Sequence, residues 1–409
     1  MPQWTSQNPV WIDPTMTTSM KHHILCINSG SSSMKFALYA LGAETEELVA
    51  EGAVERIGLP GGWLWLQDGE GKRLSDKNDD FPTHGDAVGA ILTVAADAHG
   101  IPAPDAVGHR LVHGGPDHTS PEKITPELMQ TLRGLISLAP LHLPGELKGI
   151  DAVTERYPAL GQAACFDTAF HSTMPEIAKW FPIVRSLRHE GIYRYGFHGL
   201  SYEYVLDSLR EELQGRVIIA HLGNGASMAA LKNGQVLDTT MGLTALGGLM
   251  MGTRCGDLDP GILLYLMDEK GYDARQLERL LHHRSGLLGV SGISPDMKTL
   301  LEKKDSEPHA AQAIELFCYT ARKHIGALSA TLDGLDTLVF TGGIGERAPF
   351  VREKICQGLG YLGLRLDPDK NEAHVPLISA PDSPCAVRVI RTNEDLMIAR
   401  HTRRVLFGK

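Results

Sequence analysis

No apolar run in this 409-residue chain approaches the roughly 20 residues that a bilayer-spanning helix needs. The first 21 residues are polar and broken by Pro2, Pro9 and Pro14. They carry neither the basic stretch nor the apolar core of a secretory leader, and they read as a loose extension ahead of the first strand. Cysteine is sparse and scattered. The six residues (Cys26, Cys165, Cys255, Cys318, Cys356 and Cys385) form no CxxC pair and show no metal-ligand spacing. They read as reduced, mostly buried thiols of a cytoplasmic protein. Positive charge is in deficit: 39 Lys and Arg against 49 Asp and Glu leave a formal −10. That balance argues against a general nucleic-acid or membrane-surface partner, though not against a local basic pocket.

What is present is an ordinary globular composition, 43% hydrophobic and 22% charged, at a length that suggests two domains. The stretch Val217–Pro260 organises the rest. Val217–Ala220 has the length of a buried strand, and the glycine-rich turn His221-Leu222-Gly223-Asn224-Gly225 follows it. A second strand covers Ser227–Leu231, and Asn233-Gly234 marks a tight hairpin. Glycines let backbone N–H groups approach phosphate oxygens closely. Arg254, set among small residues in Thr253-Arg254-Cys255-Gly256-Asp257, suits a planar anion.

The same grammar appears at the start of the chain. Ile24–Ile27 runs into Asn28-Ser29-Gly30-Ser31-Ser32-Ser33, and Met34–Tyr39 resumes the strand pattern. Sliding one stretch onto the other pairs Ile24 with Ile218, Gly30 with Asn224, Ser33 with Ser227 and Met34 with Met228, which suggests two halves built on one hairpin-led unit. Between them, 41–81 reads as a β-meander and 83–100 as a helix. Arg110 lies inside the strand that begins near Val107, where a charge needs a counter-ion, either a carboxylate or a ligand anion. Thr125-Pro126 opens a helix that Pro140–Pro144 closes. Asp167 ends the strand Ala163–Phe166, a usual place for a working carboxylate in α/β folds. In Tyr195-Gly196-Phe197-His198-Gly199 the glycines should expose Phe197 and His198, and Ser201 should cap the next helix, whose stripe is Val205, Leu209 and Leu213. Further on, a long helix spans about 309–331, Leu338–Phe340 is a buried strand, and the Gly342–Glu346 turn leads to a helix near 349–358. Glu394 opens the last helix, where it can assist the dipole or reach a metal.

Taken together, INSGSSSMKF, GHRLVHGG, APLH, FDTAFH, RYGFHG, HLGNGAS, MGTRCGDLDPG, FTGGIGE and NEDLMIAR, in that order from about His22 to Leu406, resemble one family: the acetate kinases with their propionate and butyrate kinase relatives. The resemblance implies an α/β fold of two actin-like, ribonuclease H-like domains around a central nucleotide cleft. One would hold residues 22–167 plus 396–409, and the other 168–395. It implies reversible, ATP-dependent phosphorylation of acetate or another short-chain acid to an acyl phosphate and ADP, Mg²⁺ as cofactor with Mn²⁺ able to replace it, and a homodimer. A carboxylate is already a nucleophile, so such an enzyme has mainly to align two anions and spread the charge of the transferring phosphoryl group.

By their match to the family's positions, Arg110 and Arg254 would bind the carboxylate and the phosphoryl group, His198 would donate to it, and Asp167 would orient an arginine or a metal-bound water. Asn28 and Glu394 would hold the metal. Lys35, His221, Leu222, Gly223, Asn224 and Gly225 would face the ATP phosphates, and Asp296, Met297, Lys298, Gly343, Ile344 and Gly345 the nucleoside. Val112, Leu141, Phe197 and Ala245 would wall the pocket for the alkyl tail. The chain departs from the family's pattern at Ala245, where proline is usual, and at Lys298 and Arg347, where arginine and asparagine are. It departs also at Leu143 and at Leu200 and Tyr202, where LHNP and HGTSH are usual. Two other readings stay open: a sugar or polyol kinase on the same fold, and an Hsp70- or actin-like ATPase that binds protein partners.

Overall fold

The computed structural model describes residues 21–98, 100–209 and 214–408. Apart from Lys21, the expected N-terminal extension lies outside the described residues, as does Leu213. Five antiparallel strands open the chain: β1 (His22–Ser29), β2 (Ser33–Leu41), β3 (Glu46–Glu55), β4 (Trp63–Asp68) and β5 (Arg73–Asn78). This is the expected meander. Helix α1 (His84–Asp97) starts at a Thr83–Asp86 capping box. Strand β6 (Ala106–Leu111) follows, then β7 (Glu122–Lys123), α2 (Pro126–Gly134), α3 (Leu143–Arg156) and β8 (Gly161–Phe166). Thr125 caps α2 with Pro126 in its first turn, as the sequence suggests. Pro144 does not close that helix. It lies in the first turn of α3, where a missing N–H costs nothing. These strands make one sheet in the order β5-β4-β3-β2-β1-β6-β8-β7.

The second sheet has the order β11-β10-β9-β12-β13. Its strands are β9 (Arg216–Leu222), β10 (Ala226–Lys232), β11 (Gln235–Thr239), β12 (Thr337–Thr341) and β13 (Ala386–Val389). Before it come the short α4 (Glu176–Lys179) and α5 (Arg185–His189), then α6 (Gly199–Leu209). Between β11 and β12 run α7 (Pro260–Lys270), α8 (Ala274–His283), α9 (Gly286–Ser291), α10 (Met297–Lys303) and α11 (Pro308–Leu332). Then come α12 (Gly342–Arg347), α13 (Pro349–Cys356) and α14 (Pro368–Glu372), and α15 (Glu394–Phe407) ends the chain. Asn233 and Gly234 both take positive φ, 53° and 77°, as a two-residue hairpin turn requires. The glycine run after β12 is no loop: Gly342–Arg347 is itself helical.

The suspected repeat is present in three dimensions. In both sheets the first strand pairs antiparallel with the second and parallel with the one that returns beside it. The offset that lays Ile24 on Ile218 also carries His22, the start of β1, onto Arg216, the start of β9. In the second sheet, Ile218, Ala220 and Leu222 pack with α11 residues such as Ala321 and Ile325 in the main core. Val217 and Ile219 face Tyr202, Val205 and Leu209 of α6. Strand alternation therefore turns His221 and Ser227 toward α6.

Helix α15 lies on the first sheet, packed on Ile24 and Cys26 of β1, Ala37 and Tyr39 of β2, Ala106 of β6 and Cys165 of β8. Continuing the same parity puts Asn28, Lys35, Arg110 and Asp167 beneath the N-terminus of α15. The approach is closest at Gly108, where an added Cβ would lie 2.2 Å from Thr402 Oγ1 and 2.5 Å from Ile398 Cγ2. Gly108→Ala is expected to destabilise the protein by about 1–3 kcal/mol in urea denaturation, because the helix must lift. Unchanged stability would show slack that the packing does not have.

Candidate active site

The ends of β6 and β8 bring Arg110 to Asp167. Nε and Nη2 of Arg110 donate to Asp167 Oδ2 at 3.1 and 2.7 Å, and Nη1 lies 3.5 Å from Glu394 at the start of α15. Asp167 is fully buried. Burial alone would pull the Arg110 guanidinium down, but the Asp167 and Glu394 charges hold it well above its ordinary value. The counter-ions of Arg110 are therefore carboxylates, Asp167 at hydrogen-bond distance and Glu394 farther off. Glu146, also buried, accepts the Val112 N–H at 3.0 Å. Burial pushes its carboxyl up to about 8, against the pull of that N–H and of Arg110.

From the other sheet come His198, His221 and Arg254. His198 has φ +61°, a conformation that costs a non-glycine residue and that recurs where function demands it. The next residue, Gly199, has no room for a Cβ, which would sit 2.2 Å from Asp167 O. Its N–H donates to that oxygen at 3.0 Å. This contact ties the start of α6 to the end of β8. The rings of His198 and His221 stack at 4.3 Å and 18°. Burial, then His221, Arg110 and Arg254, hold the His198 imidazole well below its ordinary value. Burial and Arg110 bring His221 to about 4. Both rings are neutral at pH 7.

Arg254 donates to the Ala245 carbonyl at 2.9 Å, and its Nη2 is 3.5 Å from His142 Nε2. Among the described residues it meets no carboxylate. Burial and the Arg110 charge lower it. Arg110 and Arg254 thus act on one another and jointly depress His142 and His198. Two cations distant in sequence share one gap, only one of them neutralised from within.

Val112 and Phe197 belong to a single buried apolar cluster, with Ala245 packed against it. Leu141, half-buried in the turn before α3, is not among the side chains packed on that cluster. Phe197 corrects its expectation, being 1% exposed where flanking glycines had suggested display. Gly196, at φ 77°, instead permits close packing, since a Cβ there would lie 2.6 Å from the His171 ring.

A cleft of about 720 Å³ lies beside this gap, and it is lined by Gly223, Asn224, Asp296, Met297, Lys298, Gly343 and Ile344. Those seven were expected from the sequence; Pro295, Leu301, Arg347 and Ala348 complete the lining. Five other nucleotide candidates lie elsewhere. Leu222 is in the core, Gly345 is buried against Phe340, His221 stacks in the histidine layer, Gly225 lies against His198 and Arg254, and Lys35 is exposed on β2 opposite Asn28. Gly342, at φ 76°, lets the start of α12 approach the end of β9, its Cβ position being 2.8 Å from Leu222 O. From below, the fully buried Arg352 donates to the carbonyls of Gly345 and Glu346 at 2.9 and 3.0 Å and so fixes α12.

Sequence reasoning missed the hydroxyls that hold the histidines. Ser201 is not a cap. It lies within α6, fully buried, 2.8 Å from His221 Nδ1, and the helix begins two residues earlier at Gly199. Ser227 and Tyr202 went unassigned, and the alternation of β10, which sets Ser227 beside His221, is the signal that points to the first of them. Among the described residues no group of three or more His, Cys, Asp or Glu is arranged to hold an ion, and no helix is long and apolar enough to cross a membrane.

A profile described as the acetokinase family matches residues 23–400. An acetate kinase of Rhodopseudomonas palustris (strain TIE-1) is 46% identical over 398 residues, covering 95% of this chain and all of that one. An acetate kinase of Methylocella silvestris is 43% identical over 95% of this chain and 98% of its own. The crystal structure of Porphyromonas gingivalis acetate kinase, 41% identical, superposes with a TM-score of 0.86 over 94% of this chain and all of that one. A propionate kinase from Francisella tularensis, 36% identical, gives 0.89 with the same coverages. With the paired sheets built on one plan, these likenesses make the fold two actin-like halves, and the chain belongs to the acetokinase family.

Proposed function

We propose that this protein transfers the terminal phosphoryl group of ATP, reversibly and in line, to the carboxylate of acetate, giving acetyl phosphate and ADP. The observation that supports this most directly is the shared gap of Arg110 and Arg254 beside a cleft of about 720 Å³ that glycines line. In this reading ATP lies along Gly223, Asn224 and the N-terminus of α12, with its nucleoside against Met297 and Ile344. Arg110, held by Asp167, and Arg254 bind the acid and the transferring group. Neutral His198 donates to an equatorial oxygen as charge develops there. Asp167 acts through Arg110, so no proton need leave the acid. A polyol would call for carboxylate and amide groups where two guanidiniums stand.

Asn28 and Glu394 fit Mg²⁺, since both offer oxygen at the same end of the first sheet, Asn28 one step beyond the Ile27–His109 pair and so level with Arg110. Mn²⁺ shares that oxygen preference. When bound, the metal would neutralise phosphate charge. We divide the chain into a lobe of residues 22–167 with 396–409 and a lobe of 168–395, closing over the gap to exclude water. We assign a homodimer through α7, none of whose residues is buried and which leaves Ile262, Leu264, Tyr265 and Met267 exposed. Six unpaired cysteines suit the cytoplasm.

Hydroxamate trapping of the acyl phosphate tests the reaction. Failure to trap product from any C2 to C4 acid with ATP would sink the proposal. Ala245 leaves the tail pocket roomier than proline would, and one methylene discriminates by only about 1–3 kcal/mol. Propionate is therefore expected to reach a kcat/KM within about tenfold of acetate's. A larger deficit would show that other walls close the pocket.

A further inference from the structure

His198 Nδ1 lies 2.8 Å from Ser227 Oγ, and Tyr202 Oη lies 2.5 Å from the same oxygen. Ser227 and Tyr202 are fully buried, and neither hydroxyl has another side-chain partner in the described structure. Counting hydrogens orders the chain. Were Ser227 to donate to Tyr202, the phenol hydrogen would be buried with no acceptor, which native interiors avoid. Tyr202 therefore donates to Ser227. The Ser227 hydrogen then has one acceptor in reach, His198 Nδ1. The imidazole, neutral in this setting, must carry its own hydrogen on Nε2.

That nitrogen faces the gap. The point where a Cβ on Gly225 would sit is 3.2 Å from His198 Nε2 and 3.8 Å from Arg254 Nη1. Glycine leaves the spot open, and two donors converge on it. The ring is also kept from turning over, by its left-handed backbone and by the His221 ring stacked on it. His221 is held in the same manner at Nδ1 by Ser201. The two contacts cross between the same two layers: His198, just ahead of α6, meets Ser227 of β10, and His221 of the neighbouring β9 meets Ser201 of α6. Tyr202 stands where the family's motif has histidine.

We propose that Tyr202 and Ser227 are positioning residues, forming a hydroxyl relay that locks His198 as the Nε2–H tautomer and keeps a neutral donor aimed at the spot beside Gly225 and Arg254. That the donor serves phosphoryl transfer rests on the function proposed above. The tautomer lock does not.

Long-range ¹H–¹⁵N spectra of the full chain, labelled at histidine and assigned against H198Q, read the tautomer directly. Wild-type protein is expected to show His198 protonated at Nε2, Y202F to keep that form with Ser227 less firmly held, and S227A, which removes the donor to Nδ1, to move it toward the Nδ1–H form. Both variants are expected to lower kcat about 10- to 100-fold, with KM for acetate and ATP within about threefold, a loss smaller than that of deleting the donor outright. S227T, which keeps the hydroxyl, should restore most of the rate. In the H198Q background Y202F should cost nothing further. An Nδ1–H wild-type spectrum would overturn the relay, as would a spectrum unchanged in S227A, or an equal loss with and without His198. Because the wild-type spectrum needs no variant and no turnover, a protein that made no acyl phosphate would sink the proposed function alone.

Discussion

Arg254→Ala is expected to lower kcat/KM for acetate by about 10²–10³ while leaving the urea midpoint unchanged or slightly raised. On the role proposed for Arg254, the rate loss is that of removing one preorganised donor to the transferring phosphoryl group, about 3–4 kcal/mol. The stability result follows from the partners. Arg254 bonds the Ala245 carbonyl and approaches neutral His142, and the nearest charge acting on it is the like charge of Arg110. Its removal leaves no buried carboxylate unpaired among the described residues. Arg110→Ala is a different experiment. It strips the bidentate partner from Asp167, which is fully buried, and stability should fall by about 3–5 kcal/mol along with the rate. Arg110→Lys should rescue little, because an ammonium cannot supply both the Nε and the Nη2 bond. If the two alanine variants lose stability equally, or if Arg254→Ala keeps its rate, the roles assigned here are wrong.

The second large effect is on stability against pH. His109, His113, His142, His171 and His221 are each brought to about 4, in every case first by burial. In the unfolded chain they titrate near 6.5. Their folded values are depressed, so the folded state refuses protons that the unfolded state accepts. The stability they confer is complete above about 6.5 and is lost as pH falls toward 4. Two buried carboxyls act in the opposite sense. Burial raises Glu146 to about 8 and Asp395 to about 6, so each favours folding below its folded value, and that contribution is lost as pH rises through it. Five imidazoles against two carboxyls leave roughly three protons taken up on unfolding near pH 5, a slope of about 4 kcal/mol per unit. Between 6.5 and 8 only Glu146 works, and stability should decline gently as pH rises. Urea midpoints are therefore expected to peak near pH 6.5 to 7 and to fall steeply below 6. A flat profile from pH 7 to 5 would mean that these rings are not buried as the structure has them.

Much of the site was legible because its marks are local. The apolar runs of β1 and β9 and the glycine turns behind them need only neighbouring residues, and the slid pairing of Ile24 with Ile218 stands in both sheets. Arg110 could be flagged as a charge in a strand without its partner being known. Two of the errors, at Ser201 and at Phe197, have one cause. Ser201 before an apolar stripe looks like a cap, but Gly199 is drawn to the Asp167 carbonyl and the helix begins there. Glycines around Phe197 and His198 look like exposure, but they are small so that His171 and Asp167 can come close. In each case a long-range contact overrode a local rule.

By itself, then, the order of residues determined which strands form, where the chain turns tightly and which charged groups are available, since hydrophobic period, backbone steric limits and side-chain chemistry are properties of short segments. Tertiary structure alone decided that Arg110, Asp167 and Glu394 meet, that Arg254 bonds a carbonyl and, among the described residues, no carboxylate, and that Tyr202 and Ser227 come together at His198. Those pairings depend on which face each strand presents and on how closely two backbones can pack, and neither is settled until the sheets and the helices that cover them are assembled.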